Sequence, residues 1–461
     1  MIVIGLGGNL KLPLPLPCNR HQPPQKLTSK LLSPKCALTK QAHRFLSTLS
    51  TTARDPSASS SATHKLIQKF VATSPKSVSL NTLSHLLSPH TTHPHLSALA
   101  LPFYTRITEA TWFDWNPKLV ADLVALLDKQ GRYEESEKLI SEAVSKIELR
   151  ERELVLFYCN LVESHSKQGS KRGFDVSFTS LNRVVDDSSS AYVKQRGFEA
   201  MVSGLCEMGQ VCEAEKMFDE MRLRGVKVSR FEFRCVLYGY GRLGLFEDME
   251  RVVNQMESEG FVADTICCNM ILSAYGCHCE LARMVLWLRK MRASQISFSI
   301  RTYNSVLNSC PTIMSMMVQE METGMDTLPL SIGELSGVLS GDEALVVKEL
   351  VESNSVLEEV MTWDSLEGKL DLHGMHLGSC YLMMLKWMEE LRNGFKDGKY
   401  VNPREITLVC GLGKHSNVRG ESPVKSLVRK MLVRLKSPMR NDRKNVGCFV
   451  AKGKVVRDWL C

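Results

Sequence analysis

The chain has 461 residues, 44% hydrophobic and 23% charged, the composition of a folded chain long enough for two or three domains. Its formal net charge of +8 is unevenly spread: residues 1–108 hold twelve Lys or Arg against the single acid Asp55, 109–365 hold 27 bases against 40 acids, and 366–461 hold nineteen bases against nine acids. The acidic middle excludes a phosphate-coating surface over the whole chain and leaves that footprint to the C-terminal end, and no apolar run is long enough to cross a bilayer.

Met1 to Arg54 contains no Asp or Glu and is rich in Ser, Thr, Pro, Lys and Arg, as in Ser47-Thr48-Leu49-Ser50-Thr51-Thr52. That composition predicts a disordered organellar transit peptide over 1–54, addressed to the chloroplast, with the mitochondrion as the alternative. Val3-Ile4-Gly5-Leu6-Gly7-Gly8 has the look of a dinucleotide loop, but Lys11-Leu12-Pro13-Leu14-Pro15 follows where a helix would have to start. Residues 55–108 read as a linker or pre-repeat region. The fifteen cysteines form no framework, and Cys206, Cys235 and Cys310 fall on helix faces as small buried residues of a reducing compartment. Cys277-His278-Cys279 suggests zinc, yet side chains two apart on a helix diverge and no second ligand pair is evident.

The middle repeats. Gln195–Ser229, Arg230–Asp264 and Thr265–Ser299 align with Met221, Met256 and Met291 spaced by 35, as are Gly209 with Gly244 and Gly225 with Gly260. Each unit has two apolar patterns of helical period broken by a glycine-containing turn, and one such helix pair buries its apolar face only against neighbours. Weaker units stand upstream, one at Leu126–Glu135 and another near Tyr158–Gly169, so 109–194 is read as degenerate repeats, 195–310 as clear ones, and 311–364 as a helical connector. Residues 300–310 begin a unit that soon loses its pattern.

Met217-Phe218-Asp219-Glu220-Met221, Arg224-Gly225-Val226 and Thr302-Tyr303-Asn304-Ser305-Val306-Leu307 carry a resemblance to pentatricopeptide repeats, helical hairpins of plant organelles. The resemblance implies single-stranded RNA as partner, one base per repeat, read by the fifth and last residues of each unit. Here those are Glu199 with Ser229, Arg234 with Asp264, and Asn269 with Ser299, and Asn304 holds the fifth position of the incomplete unit. In the family, Asn with Ser favours a pyrimidine; the first two pairs depart from the usual Asn or Thr.

From about Ser365 to Cys461 the pattern changes. A strand ends in Leu370-Asp371-Leu372-His373-Gly374, a helix spans 377–393, an apolar strand enters the turn Cys410-Gly411-Leu412-Gly413-Lys414-His415-Ser416, a second helix spans 423–435, and Cys448-Phe449-Val450-Ala451 closes. The order β-α-β-α-β predicts a small α/β sandwich. Asp371 and His373, two apart on an extended strand, would share a face, where they can handle protons or hold a divalent ion such as Mg²⁺ or Mn²⁺. Gly411 and Gly413 would let backbone amides approach a phosphate, with Ser416 at the end of the loop. Lys414 and His415 would neutralise its charge, and Arg429 and Lys430 belong to a basic stretch suited to a phosphate backbone.

Leu370-Asp371-Leu372-His373-Gly374 and Cys410-Gly411-Leu412-Gly413 match the Leu-Asp-X-His and Thr-Gly-X-Gly motifs of the Smr (small MutS-related) domain, which 365–461 therefore resembles; Cys410 stands where Thr is usual. The resemblance implies endonuclease chemistry on nucleic acid, RNA or DNA, or binding without cleavage. The fold expected is mainly α, an α-α superhelical solenoid of helical hairpins followed by a small α/β sandwich. Two functions stay open: organellar RNA binding in RNA processing or expression, and a scaffold for organellar proteins with weak nucleic-acid association.

Overall fold

The protein is described by a computed structural model over residues 38–54, 60–89, 94–323, 328–411 and 422–461. These fall into two compact units: one runs to Leu243 and includes 247–258, and the other comprises 244–246 and 259–461.

The first unit opens with a helical cluster. Of the segment expected to be a disordered transit peptide, 1–37 lie outside the described residues. Its end is a correction: Lys40–Arg54 forms helix α1 and buries Ala42, Phe45, Leu46 and Leu49. That i, i+3, i+4, i+7 pattern is an amphipathic helix, and its polar face supplies the Ser, Thr and Arg that resemble a targeting segment. The stretch 55–108, expected as a linker or pre-repeat region, is mainly helical over its described residues. It contains α2 (Ser60–Thr73), α3 (Lys76–Leu87), α4 (Pro94–Ser97) and α5 (Ala100–Thr108). Phe45 stacks on Phe70 with ring centroids 3.9 Å apart, and both pack against Phe103.

Four hairpins follow: α6 (Pro117–Lys129) with α7 (Tyr133–Ile147), α8 (Glu151–Gln168) with α9 (Lys171–Asp187), α10 (Ala191–Glu207) with α11 (Val211–Leu223), and α12 (Arg230–Leu243) with α13 (Phe246–Ser258). Their first helices, α6, α8, α10 and α12, stack successively on one another. In the second unit α14 (Thr265–Cys277) pairs with α15 (Leu281–Ala293), and α14 stacks on α16 (Ile300–Leu307). The unit that loses its pattern near 310 in the sequence still gains a second helix, α17 (Pro311–Thr323).

The turns explain the 35-residue spacing. Gly209 and Gly244 end the first helices of their hairpins at φ +78° and +73°, and Gly225 and Gly260 follow the second helices at +70° and +85°. In the next unit the same two positions are Cys279 at φ +58° and Gln295 at +55°. The backbone turn is retained with side chains that disfavour it.

Beyond α18 (Ile332–Val338), α19 (Gly341–Glu352) and α20 (Ser355–Val360) lies a five-stranded sheet. Its strands are β1 (Met361–Trp363), β2 (Glu367–Asp371), β3 (Glu405–Val409), β4 (Arg440–Asn441) and β5 (Cys448–Lys452), in the order β1-β2-β3-β5-β4. Only β2 and β3 are parallel. Helices α21 (Leu377–Lys396), α22 (Pro423–Arg434) and α23 (Gly453–Leu460) complete it, with α21 packed against the other two. The sheet thus opens at Met361, inside the expected connector, and β4 and α23 add to the expected order.

Helix α19 joins the last hairpins to this sheet module. Arg289 and Arg292 of α15 hold the Glu349 carboxylate at 2.7 and 2.6 Å. At the end of α19, Tyr303 of α16 donates to the Leu350 carbonyl at 2.6 Å. Lys386 of α21, buried, donates to the carbonyls of Leu350, Val351 and Ser353. Burial lowers its pKa to about 8, which still leaves it protonated at neutral pH. An ammonium there satisfies carbonyls that a helix end leaves without partners and opposes the helix dipole.

In the first unit α8 buries His165 with neither ring nitrogen hydrogen-bonded. The Asp128 carboxylate lies 3.7 Å from Nε2, beyond hydrogen-bond reach, and takes the Ser136 hydroxyl instead at 2.5 Å. Burial pushes the imidazole down to about 4. It also raises Asp128, against the hydrogen bond from Ser136.

Two stability effects are expected. Cys279→Gly and Gln295→Gly should each stabilise by about 0.5–1 kcal/mol, and Gly209→Ala should cost about 1 kcal/mol, in denaturant unfolding; equal midpoints for all three would refute the turn account. His165 holds fewer protons folded than unfolded between its folded value near 4 and the ordinary 6.5. Its contribution to stability is therefore lost as pH falls through that window, by up to about 3 kcal/mol. Asp128 acts oppositely: its raised pKa makes its charge costly at neutral pH, and that cost is relieved as pH falls. His165→Leu should flatten the decline of the urea midpoint between pH 7 and 4.5, and an unchanged decline would place its cause elsewhere.

Candidate nucleic-acid interface

The last residue of each repeat caps the first helix of the next. The Ser229 hydroxyl accepts from the Phe231 amide at 3.1 Å, and Glu232 takes both the Ser229 hydroxyl and its amide at 2.6 and 2.8 Å. Asp264 caps α14 by accepting from the Cys267 amide at 3.0 Å. Ser299 forms a reciprocal capping box with Thr302 at the start of α16. Ser-x-x-Glu and Ser-x-x-Thr are legible in the sequence as capping patterns, so these side chains have a structural duty besides the one inferred from the repeat register.

The fifth positions differ from one another. Glu199 is paired on its own helix with Arg196 at 2.5 Å and accepts from Gln195 at 3.2 Å. Arg234 is half-buried on α12. Asn269 is buried, donating to the Ser299 hydroxyl at 3.2 Å and accepting from the Thr302 hydroxyl at 2.7 Å, so the third pair is joined directly. Asn304 is engaged at both ends of its amide by the sheet module: it donates to the Gly374 carbonyl at 2.9 Å and accepts from the His376 amide at 2.9 Å.

The two C-terminal motifs meet at one end of the sheet. Asp371 on β2 lies opposite Val409 on parallel β3, and the Leu372 amide extends the pairing to the Val409 carbonyl at 2.8 Å. Leu370 and Leu372 are fully buried, which turns the alternate residues Asp371 and His373 to the other side. The Asp371 carboxylate accepts from the His373 amide at 3.1 Å and lies 2.5 Å from its Nδ1. Gly411 turns away after β3 at φ +79°, and a Cβ added there would lie 3.9 Å from the His373 Cβ. The carboxyl ends of adjacent parallel strands are where open α/β sheets present their ligand sites.

Three basic features gather here; Arg443 and Lys444 belong to the basic stretch read from the sequence, whereas Lys369 and Lys425 escaped that reading. Lys369 lies 3.6 Å from the second Asp371 oxygen. Lys425, on the first turn of α22, donates to the Val446 carbonyl. The β4–β5 loop carrying Arg443 and Lys444 comes to the same end, since the Cys410 amide bonds the Gly447 carbonyl at 2.9 Å. Lys369 sits two residues before the dyad on the same strand, a spacing that places it on the same face. The other two are set by the sheet order.

Of the remaining candidates, Arg429 is exposed on α22. Lys430 is a correction: it bonds the Glu320 carbonyl of α17 and lies 3.9 Å from the buried Glu320 carboxylate, so it braces a helix contact. Gly413, Lys414, His415 and Ser416 lie outside the described residues. Among those described, no group of three His, Cys, Asp or Glu side chains could hold a metal ion. Both Asp371 oxygens already face His373 and Lys369. Among the described residues the dyad supplies a single carboxylate, and no chemical step is assigned to Mg²⁺ or Mn²⁺.

The PPR repeat family matches residues 198–226 and 233–261. The pentatricopeptide repeat-containing protein At2g17033 of Arabidopsis thaliana is 57% identical over 426 residues, covering 92% of this chain and 82% of that one. A second Arabidopsis pentatricopeptide repeat-containing protein, At5g48730, chloroplastic, is 23% identical over 209 residues, 44% of this chain and 40% of its own. A crystal structure of the pentatricopeptide repeat protein PPR10 in complex with an 18-nt psaJ RNA element matches with a TM-score of 0.32 and 16% identity, over 86% of this chain and about half (51%) of that one. At that score the likeness carries no argument.

Burial works to raise the Asp371 pKa, but the His373 hydrogen bonds and the charges of His373 and Lys369 outweigh it and hold the carboxyl below the usual range. Asp371 accordingly contributes stability above its unfolded pKa and loses it as pH falls through the lower folded value. Carboxyl-carbon NMR should show Asp371 titrating low, moving up in His373→Ala and less in Lys369→Ala. An unmoved titration in His373→Ala would contradict the dyad.

Proposed function

The chain belongs to the pentatricopeptide repeat family, and from that premise we propose that it is an organellar RNA-binding protein acting in RNA processing or gene expression. Its repeats hold single-stranded RNA, and its Smr-like C-terminal module grips or cuts nucleic acid. Repeats of this family take one base each, and the Asn269–Ser299 pair is the one here that matches the family's pattern. Chloroplast residence is supported by the acid-free N-terminal sequence and by the relative whose name includes "chloroplastic"; the mitochondrion is the alternative.

The observation that carries the module's role is the Asp371–His373 dyad beside Gly411 at the carboxyl ends of β2 and β3. With Nδ1 held by the carboxylate, the outer nitrogen Nε2 of a side chain 72% exposed is the one able to accept a proton. In a cutting reaction it would take the proton of the attacking hydroxyl as the new phosphorus–oxygen bond forms and the bond to the leaving oxygen breaks. Asp371 would stabilise the imidazolium, and the imidazolium would return the proton to the leaving oxygen. Lys369 and Lys425 would offset charge gathering on the phosphoryl oxygens. In a gripping role the same cations hold the phosphate and no bond breaks.

A second reading, an interaction scaffold for organellar proteins, is favoured by the excess of acid in 109–365, 40 acids against 27 bases, which repels a phosphate backbone.

The test is incubation of the full chain with a labelled organellar RNA pool, with Mg²⁺, with Mn²⁺ and with EDTA, beside Asp371→Ala/His373→Ala. Discrete cleavage lost in the double variant supports a nuclease. Retention of RNA without cutting, weakened in the double variant, makes the module a binding domain. The absence of both binding and cutting moves the scaffold to first place. Asn269→Ala should weaken binding to a preferred sequence about tenfold more than to random RNA; equal loss on both would defeat base reading by this repeat.

A further inference from the structure

We propose that Asn304 is a positioning residue: with Asn308 it clamps the dyad loop of the sheet module to the α16–α17 hairpin, and the base-reading track ends at Asn269–Ser299. The inference rests on the RNA-binding reading for the track and on geometry alone for the clamp.

Asn304 follows Asn269 by 35 residues and is the same residue type, yet its surroundings differ in kind. Asn269 bonds the cap of the next hairpin through Ser299 and Thr302. The position 35 beyond Ser299 is Glu334, and it caps no further hairpin. It lies on α18, where its amide donates to the Ser331 hydroxyl at 3.1 Å and its carboxylate accepts from the Leu330 amide at 2.8 Å. Asn304 therefore lacks a last-position companion of its own repeat. Its amide group goes to Gly374 and His376, one and three residues past His373.

One helical turn later, the Asn308 amide stands 2.7 Å from Nδ1 of His376. An Asn side-chain nitrogen only donates, so Nδ1 accepts and the neutral ring carries its proton on Nε2. His376 is also the N-cap of α21. Between these two teeth the helices approach closely: a Cβ on Gly378 would come within 3.3 Å of the Leu307 Cβ and 3.2 Å of Ile313. The loop from Gly374 to His376 is thus fixed at both ends by one face of α16. Asp371 and His373 directly precede it.

A base cannot take the Asn304 amide without releasing Gly374 and His376. Reading by the α16–α17 hairpin and order in the dyad loop exclude each other, so a strand leaving the third pair meets the dyad loop instead of another reading position.

The experiment compares the full chain with Asn304→Ala and Asn304→Asp by amide hydrogen exchange and by selection from a labelled random single-stranded RNA 20-mer pool. Asn304→Ala is expected to speed exchange at 372–377 by roughly tenfold or more, with the α21 core unchanged and the selected sequence unchanged. Asn304→Asp keeps an acceptor for the His376 amide and loses the donor to Gly374, so His376 should regain protection in the Asp variant. A general loosening would not produce that selective rescue. Unaltered exchange at 372–377 in Asn304→Ala, or a changed base preference at one position, overturns the proposal. If the unmodified chain selects no sequence and Asn269→Ala changes nothing, the RNA reading fails along with the track's end, while exchange alone still decides the clamp.

Discussion

The carbonyls at the end of α19 hold the second unit together. A helix end buried without donors is costly, because its last carbonyls have no partner within the helix. Here the donors come from two directions, the Tyr303 hydroxyl from a repeat helix and the Lys386 ammonium from the long helix of the sheet module. Each satisfies a need of α19, and together they fix a repeat helix and the module to the same few atoms. Glu349, one residue earlier, adds two arginines from α15. Any function that depends on the dyad's place relative to the last hairpins depends on this junction.

At the repeat edge the residues proposed for recognition also have structural duties. Ser229, Asp264 and Ser299 all cap helices, which lowers their freedom to meet a ligand but also fixes where they stand. A side chain held this way presents a preorganised surface and loses little entropy on binding. Asn269, bonded to Ser299 and Thr302, has the same character. Asn304 carries the same amide in the same register but is drawn into the module.

Much of the fold was legible before the structure. The 35-residue spacing of Gly209 with Gly244 and of Gly225 with Gly260 fixed the hairpin register, because a left-handed turn at a helix end favours glycine. The Asp371–His373 pairing followed from strand alternation, and the helices and strands of the C-terminal module fell close to their expected places. Helix α1 was hidden because Ser, Thr and Arg serve both a targeting segment and the wet face of an amphipathic helix. The α16–α17 hairpin was hidden because α17 keeps its helical form with little of the repeat's pattern.

By itself the sequence determined the repeat period, the turns, the caps and the local pairing of the dyad, since each depends on residues a few positions apart in the chain. Tertiary structure alone decided that Asn304 meets a loop seventy residues later, that Lys430 braces Glu320 on α17, and that Lys425 and the β4–β5 loop gather beside the dyad. A side chain's type states what it can bond. Which partner it finds depends on packing between distant segments, and no local spacing encodes that choice.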